Sequence, residues 1–205
     1  MIGVAAACCL IGTATFASGK ITSTIGGGRA TPEYNSFADI DKAEKEVGYQ
    51  VQAVESFSND YQFFDMGIDH STALDDDENE VGNWDGITIT YQKDGASDVN
   101  LSIEKSLGEI SDREPDATAQ VGEVTLSYRE DIYKSVPEDY ELTEEDNANM
   151  EKDNYYISYG SDTVEINQVN SVYWVKDGIT YGLFGFDLGM SSDEMFSMAE
   201  EIINQ

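Results

Sequence analysis

Val172-Tyr173-Trp174-Val175-Lys176-Asp177-Gly178-Ile179-Thr180-Tyr181-Gly182-Leu183 sets two runs of β-branched and aromatic residues about an Asp-Gly pair. Both central residues of a type I′ turn need positive φ, so Asp-Gly between two such runs is a strong hairpin signal, and the turn fixes the pairing register. Ser191-Ser192-Asp193-Glu194-Met195 follows, with Met198, Ala199 and Ile202 at helical spacing. Ser191 as N-cap with Glu194 three residues on is a capping box, and Met190 is placed to staple against Met195. Strand, tight turn, strand and capped helix describe a small sheet with a helix packed on it. They contain no catalytic apparatus.

Working outward, the same style of hairpin recurs upstream. Ile87-Thr88-Ile89-Thr90-Tyr91 and Val99-Asn100-Leu101-Ser102-Ile103 alternate at period two around Lys93-Asp94-Gly95. Glu123 to Tyr128 predicts another strand, and Tyr155 to Tyr159 with Thr163 to Asn167 predict two more around Gly160-Ser161. The acidic stretch Gly108 to Gln120, which contains Pro115, is expected to be irregular. Thr143 is positioned to cap a short polar helix in a surface insertion spanning Pro137 to Asn154.

Nearer the start, Ser36 is placed to cap a helix with Phe37, Ile40, Ala43 and Val47 on one face and Gly48 at its C′ position. Tyr49 to Val54 then reads as extended, and the aromatic-rich run Phe57 to Ile68 predicts one strand before His70. Asp75-Asp76-Asp77-Glu78-Asn79-Glu80 breaks the apolar pattern and is expected to be a solvated loop or hairpin tip. Helix, successive antiparallel strands, then helix makes an α+β domain with one sheet face covered.

Met1 to Gly19 is uncharged and largely apolar, which predicts an export or membrane-anchor segment. Nothing basic precedes it, while Lys20 and Arg29 follow, so a further basic region upstream is expected. Residues 20–32, rich in Gly, Ser and Thr, read as a flexible linker, leaving residues 33–205 as a single extracytoplasmic domain. The only cysteines, Cys8 and Cys9, lie in the apolar segment, so the domain has neither disulfide nor zinc-thiolate chemistry.

With 41 acidic against 11 basic residues, the chain carries a formal net charge of -30. Nucleic-acid binding, which needs clustered Lys and Arg to displace counterions, is excluded as a function class. A solvated surface that keeps an exported protein soluble is the ordinary explanation of such charge; cationic peptides and metal ions are the partners it permits.

The search for chemistry returns little. His70 is the only histidine, and although Asp69 and Ser71 flank it, neighbours on a strand point to opposite faces and do not make a triad. Asp75 to Glu80 has oxygen ligands at alternate positions, yet an EF-hand needs Gly sixth and Glu twelfth, where Glu80 and Gly86 stand. In so acidic a chain no chosen carboxylate pair is informative for glycoside hydrolysis. No catalytic, cofactor-binding or metal-binding residue is assigned, and no enzyme activity is expected. Trp84, beside Asp85-Gly86, is expected to be partly exposed, and Trp174 to lie in the core.

Phe37 to Tyr49, with Lys42-Ala43-Glu44-Lys45 and Val47-Gly48-Tyr49 followed by Phe57 and Tyr61, resembles the entry segment of a Gram-positive bacterial family of extracytoplasmic domains of uncharacterised function. Trp174 to Tyr181, Leu183 and Ala199-Glu200 resemble its C-terminal signature. Members are often tethered behind one transmembrane helix, some after an anti-sigma-factor region. The family is similar to the lipoprotein-carrier and RseB-like fold. The resemblance implies a curved antiparallel sheet of about six to eight strands, with an N-terminal and a C-terminal helix packed on one face and an apolar concavity. The acidic loop at Asp75 to Glu80 and the segment Pro137 to Asn154 depart from it. The function implied is a non-catalytic, membrane-tethered sensory or regulatory domain that binds a protein partner or an apolar ligand. A lipid or lipopeptide carrier is the alternative, and a cell-wall-active enzyme stands behind both.

Overall fold

The computed structural model describes residues 32–106 and 113–205, together with the backbone of three short strands before them. In chain order these three are β1 (Thr15–Phe16), β2 (Gly19–Lys20) and β3 (Ser23–Gly28). A 3-10 turn at Phe37–Asp39 leads into α1 (Ile40–Val47), and β4 (Gln62–Leu74), β5 (Glu80–Gln92) and β6 (Val99–Lys105) follow. Next come β7 (Ala117–Val121), β8 (Val124–Val136), α2 (Glu144–Asn149), β9 (Tyr155–Tyr159), β10 (Glu165–Lys176), β11 (Ile179–Phe186) and α3 (Ser192–Ile203). Among the described residues the protein is an α+β fold dominated by one open, mixed sheet in the order β3-β4-β5-β6-β11-β10-β8-β7, with β9 also on β8.

The final hairpin has the turn its Asp-Gly pair calls for, whereas β5 and β6 pair as read but through a longer connection, residues 93–98, in which Gly95 and not Asp94 has positive φ. Asp177 and Gly178 have φ of 53° and 77°, the pair of positive values a type I′ turn requires, and Lys176 pairs with Ile179 across it. From that register Trp174 faces Tyr181, and their rings stack in parallel with centroids 5.2 Å apart. Ile87, Ile89 and Tyr91 of β5 pair with Ile103, Leu101 and Val99 of β6, all fully buried. Strict alternation therefore turns one face of the sheet into the core.

α3 closes that core. Met195, Met198, Ala199, Ile202 and Ile203 are buried, and each of the larger side chains contributes about 1.5–3 kcal/mol by leaving water. Its capping box is formed: Ser191 Oγ accepts from Glu194 N–H at 3.3 Å, and Glu194 Oε2 accepts from Ser191 N–H at 2.9 Å. At the other end Lys176 Nζ donates to the Ile203 carbonyl at 2.8 Å, so the final hairpin supplies a cation to the helix C-terminus. Ala43 and Val47 of α1 enter the same apolar cluster, and Gly48 ends that helix at φ 81°.

Tyr49 to Val54, although extended, forms no strand. It crosses the sheet tied by tyrosine hydroxyls: Tyr91 OH donates to the Val54 carbonyl at 2.9 Å and Tyr181 OH accepts from Gln52 N–H at 3.2 Å. Glu201 of α3 then accepts from Ser58 N–H and Ser58 Oγ, fixing the crossing segment to the helix.

Three expectations are corrected. First, the sheet is mixed rather than antiparallel and holds nine strands. β9 runs parallel to β8 because the long connection through α2 carries the chain back to the same end, and the turn at Gly160 (φ 113°) then leads around β8 to β10 on its other edge. Second, the segment read as irregular contains β7, with Pro115 just outside the strand where it blocks no ladder bond. Third, the linker of residues 20–32 contains β3, paired with β4 from Ser23–Leu74 to Gly28–Asp69; main-chain pairing at an edge needs no side-chain alternation. The insertion around α2 lies at the surface as expected, and is anchored there. Asp146 is buried and accepts from Lys134 Nζ (2.5 Å), Tyr140 OH (2.9 Å) and Thr143 N–H and Oγ1.

The expected anchor at residues 1–19 lies outside the described residues except for β1 and the first residue of β2. Among the described residues no helix is long and apolar enough to cross a membrane.

Candidate functional site

The alternation that buries one sheet face leaves the other half-exposed. On β6 it is literal: Val99, Leu101 and Ile103 are buried, while Asn100, Ser102 and Glu104 between them are not. Register carries the second face across β4 and β5. Gly67 pairs with Thr88 and Thr88 with Ser102; one step along, Asp69 pairs with Gly86, beyond which lies Glu104. A carboxylate stands on either side of a glycine in one row across three strands.

Gly86 is where a glycine is required. A Cβ there would meet the Ile103 carbonyl oxygen at 3.0 Å and Glu104 Cβ at 3.4 Å. With no side chain at 86, the row forms a notch floored by backbone. Thr88 and Trp84, two residues to either side on β5, supply its ends. Thr88 Oγ1 donates to Asp69, and Trp84 Nε1 donates to Glu104 Oε2 at 2.7 Å. Trp84 also packs on fully buried Ala73, which holds the indole across the strands.

Both carboxylates are desolvated. Burial raises Asp69 above the ordinary aspartate range, against the opposing effects of the Thr88 hydrogen bond and the His70 charge. Burial likewise raises Glu104, opposed by the Trp84 hydrogen bond and reinforced by repulsion from Asp69. The two groups are thus coupled across Gly86, so a proton on one lowers the cost of charge on the other. Their hydrogen-bond donors, Thr88 and Trp84, are neutral. The arrangement is one that takes up a proton or a cation in place of water.

His70 lies on the opposite, core-side face, with Nδ1 2.5 Å from Asp85 Oδ1. A carboxylate only accepts, so Nδ1 carries the hydrogen there. Asp69 and Ser71 are on the other side of the strand, and the sheet does not assemble the three into a triad. The acidic run is the β4–β5 hairpin tip. Asp75 Oδ1 accepts from Asp77 N–H and Asn79 N–H, both at 2.9 Å, and these bonds with the Asn79 side chain hold its carboxyl below the usual range. Asp75, which would stand first in a calcium loop, is turned inward to its own loop. Among the described residues no group of three or more His, Cys, Asp or Glu is arranged to hold a metal ion.

A second polar assembly lies at the β8 edge, where β7 ends its pairing and β9 has yet to begin. Between those partners Glu130 would lack main-chain bonds. Asp116 Oδ2 accepts from Glu130 N–H at 2.8 Å, and Asn154 Nδ2 donates to the Glu130 carbonyl at 3.2 Å. Arg113 Nη2 donates to both Asp116 oxygens at 2.7 Å, and its Nη1 is 3.5 Å from Asp131 Oδ1. Burial raises Asp131, opposed by the charges of Arg113 and Arg129. Arg113, Glu114, Pro115, Asp116, Asp153 and Asn154 line an open cleft of about 530 Å³ here.

Of these residues the sequence drew attention to Trp84 with Asp85-Gly86, His70 with Asp69 and Ser71, Pro115 and the acidic run, but to none of them as parts of this row. The signal for the rest was present in the register: the Lys93-Asp94-Gly95 turn places Glu104 beside Gly86, and period two assigns Asp69, Gly86 and Thr88 to one face. Comparison of the chain with family models, with curated proteins and with solved structures finds no match.

Proposed function

We propose that this chain is a non-catalytic, membrane-tethered extracytoplasmic sensory or regulatory domain, in which a curved sheet carries α1 and α3 on one face and offers the other to a protein partner. The observation that carries this reading is the half-exposed face itself, with Asp69 and Glu104 held desolvated beside neutral donors. Keeping two carboxylates partly buried without a matched cation costs stability, and such arrangements concentrate at functional sites. A basic side chain of the partner, entering over Gly86, relieves that cost and displaces the hydration of the surrounding Thr and Ser side chains. The apolar N-terminal segment and the family resemblance of the two ends support the tether and the extracytoplasmic setting. The described cleft at the β8 edge, lined largely by charged and polar groups, suits a polar ligand better than a lipid.

Site-specific photocrosslinking in the cells that make the protein tests this reading. A photoreactive residue placed at Ser102 or Thr90, on the half-exposed face, is expected to capture one discrete protein, and the same residue at Glu200 on the outer side of α3 is not. A lipid adduct from the first two positions favours the carrier function. Capture indistinguishable from the Glu200 control refutes the proposal.

A further inference from the structure

Among the described residues the edge of the sheet formed by β9 is open, and its composition is unusual for an open edge. Among the described residues β9 pairs with β8 alone, in register from Ile132–Tyr155 to Val136–Tyr159 without a bulge. Ile132 N–H donates to the Asn154 carbonyl and Gly160 N–H to the Val136 carbonyl. In a parallel ladder alternate residues face the same neighbour, so Ile157 and Tyr159 turn their N–H and C=O groups away from β8. Natural sheets blunt such edges with charge, proline or bulges. Tyr155-Tyr156-Ile157-Ser158-Tyr159 has none of these, and it exposes Tyr156 and Tyr159 by 42% and 53%.

We propose that this edge binds an extended, basic polypeptide segment as an added antiparallel strand. Charge selects that occupant. Glu151 and Asp153 lie before the strand, Asp162 and Glu165 lie after it, and all are exposed. The cleft described above opens at its N-terminal end, and with Arg113 engaged by Asp116 its exposed carboxylates are Glu114 and Asp153. An antiparallel segment with Lys or Arg after a β-branched run sets its basic end over this cleft. A second copy of the chain fits poorly, because antiparallel pairing of two β9 strands places the acidic ends of one beside those of the other, at a net charge of -30 each. Apolar side chains of the added strand find exposed Tyr159 on one face of β9, in the row with buried Val136, and exposed Tyr156 on the other. This mode of recognition takes affinity from main-chain bonds and specificity from alternate side chains. The edge is separate from the sheet face argued above, and neither reading depends on the other.

The test uses the full chain and synthetic peptides of alternating Val and Thr ending in Lys-Lys or in Glu-Glu, with amide exchange followed by NMR. The Lys-ended peptide is expected to slow exchange at Ile157 and Tyr159, and the Glu-ended one to bind about tenfold more weakly, since the end charges reverse sign. N-methylation of the peptide amides that face β9 is expected to abolish binding, and N-methylation of the outward amides to leave it. Tyr159→Pro, which removes one outward N–H, is expected to abolish binding as well; the N-methyl comparison stands independently of how that variant folds. Absence of protection, protection elsewhere than on β9, insensitivity to N-methylation, or peptide-independent dimers of the chain through this edge overturns the proposal.

Discussion

Gly86→Ala probes the notch at its floor, with Gly67→Ala as its control. The two glycines lie on the same face of neighbouring strands, and neither has positive φ. A Cβ at position 67 meets nothing within 4 Å. Gly67→Ala therefore only restricts the unfolded chain, which stabilises by about 0.4–1 kcal/mol. A Cβ at position 86 presses on the Ile103 carbonyl at 3.0 Å, and that carbonyl belongs to a strand bonded on both sides. Relieving the contact means shifting backbone, at about 1–3 kcal/mol. Set against the same entropic gain, the net expected loss for Gly86→Ala runs from near zero to about 2.5 kcal/mol. In urea denaturation, with a slope of about 2 kcal/mol/M, its midpoint falls by up to about 1 M while that of Gly67→Ala rises by about 0.2–0.5 M. Equal shifts for the two variants refute the tight approach of β5 and β6, and with it the backbone-floored notch.

Other consequences are independent of that one. Ser191→Ala removes the N-cap of α3 and is expected to cost about 1 kcal/mol, or roughly 2–4 °C in Tm by calorimetry for a chain of this size. Lys134→Met leaves Asp146 buried without its cation, and is expected to lower Tm more than the double variant Lys134→Met/Asp146→Leu, which removes both charges. Asp146 is held well below the usual carboxylate range, first by Lys134 and then by Thr143, so its contribution is present above the unfolded value and lost as pH falls through the folded one. Thermal scans down an acid series are therefore expected to show the wild type losing more stability than Asp146→Asn. Glu104 behaves with opposite sign. Its folded value is raised, so its contribution is most favourable below the unfolded value and is lost as pH rises through the folded one. Glu104→Gln is thus expected to gain stability over wild type at pH 7, and to lose that advantage in acid.

How much of this was legible in the sequence depended on whether the information is local. The two hairpins and the α3 capping box are set by residues within a few positions of one another: Asp177-Gly178, Lys93-Asp94-Gly95, and Ser191 with Glu194. They form as read. β9 failed that test, because Gly160-Ser161 looks like a hairpin turn, and nothing local reveals that β8 lies between the two strands it joins. β3 went unread for a related reason, since Gly26-Gly27-Gly28 has no side chains to alternate; β7 went unread although Ala117, Ala119 and Val121 alternate and pack on the core, because Pro115 and the acidic residues around it outweighed a run of small side chains. The notch is intermediate. The alternating runs Ile87 to Tyr91 and Val99 to Ile103 stop one residue short of Gly86 and Glu104, and that these two share a row with Asp69 follows only from pairing β4 with β5 as well as β5 with β6. Desolvation of the two carboxylates is a property of the assembled face and has no signature along the chain.

The coupling between Asp69 and Glu104 is the claim on which the proposed binding face rests. Carboxyl ¹³C chemical shifts of Asp69 and Glu104, followed by NMR through an acid titration in wild type and in Asp69→Asn, measure it directly. Both groups are expected to titrate above their ordinary ranges, and the Glu104 midpoint to fall when the Asp69 charge is removed. Two carboxyls titrating at ordinary values, or a Glu104 midpoint indifferent to residue 69, contradict the coupled pair.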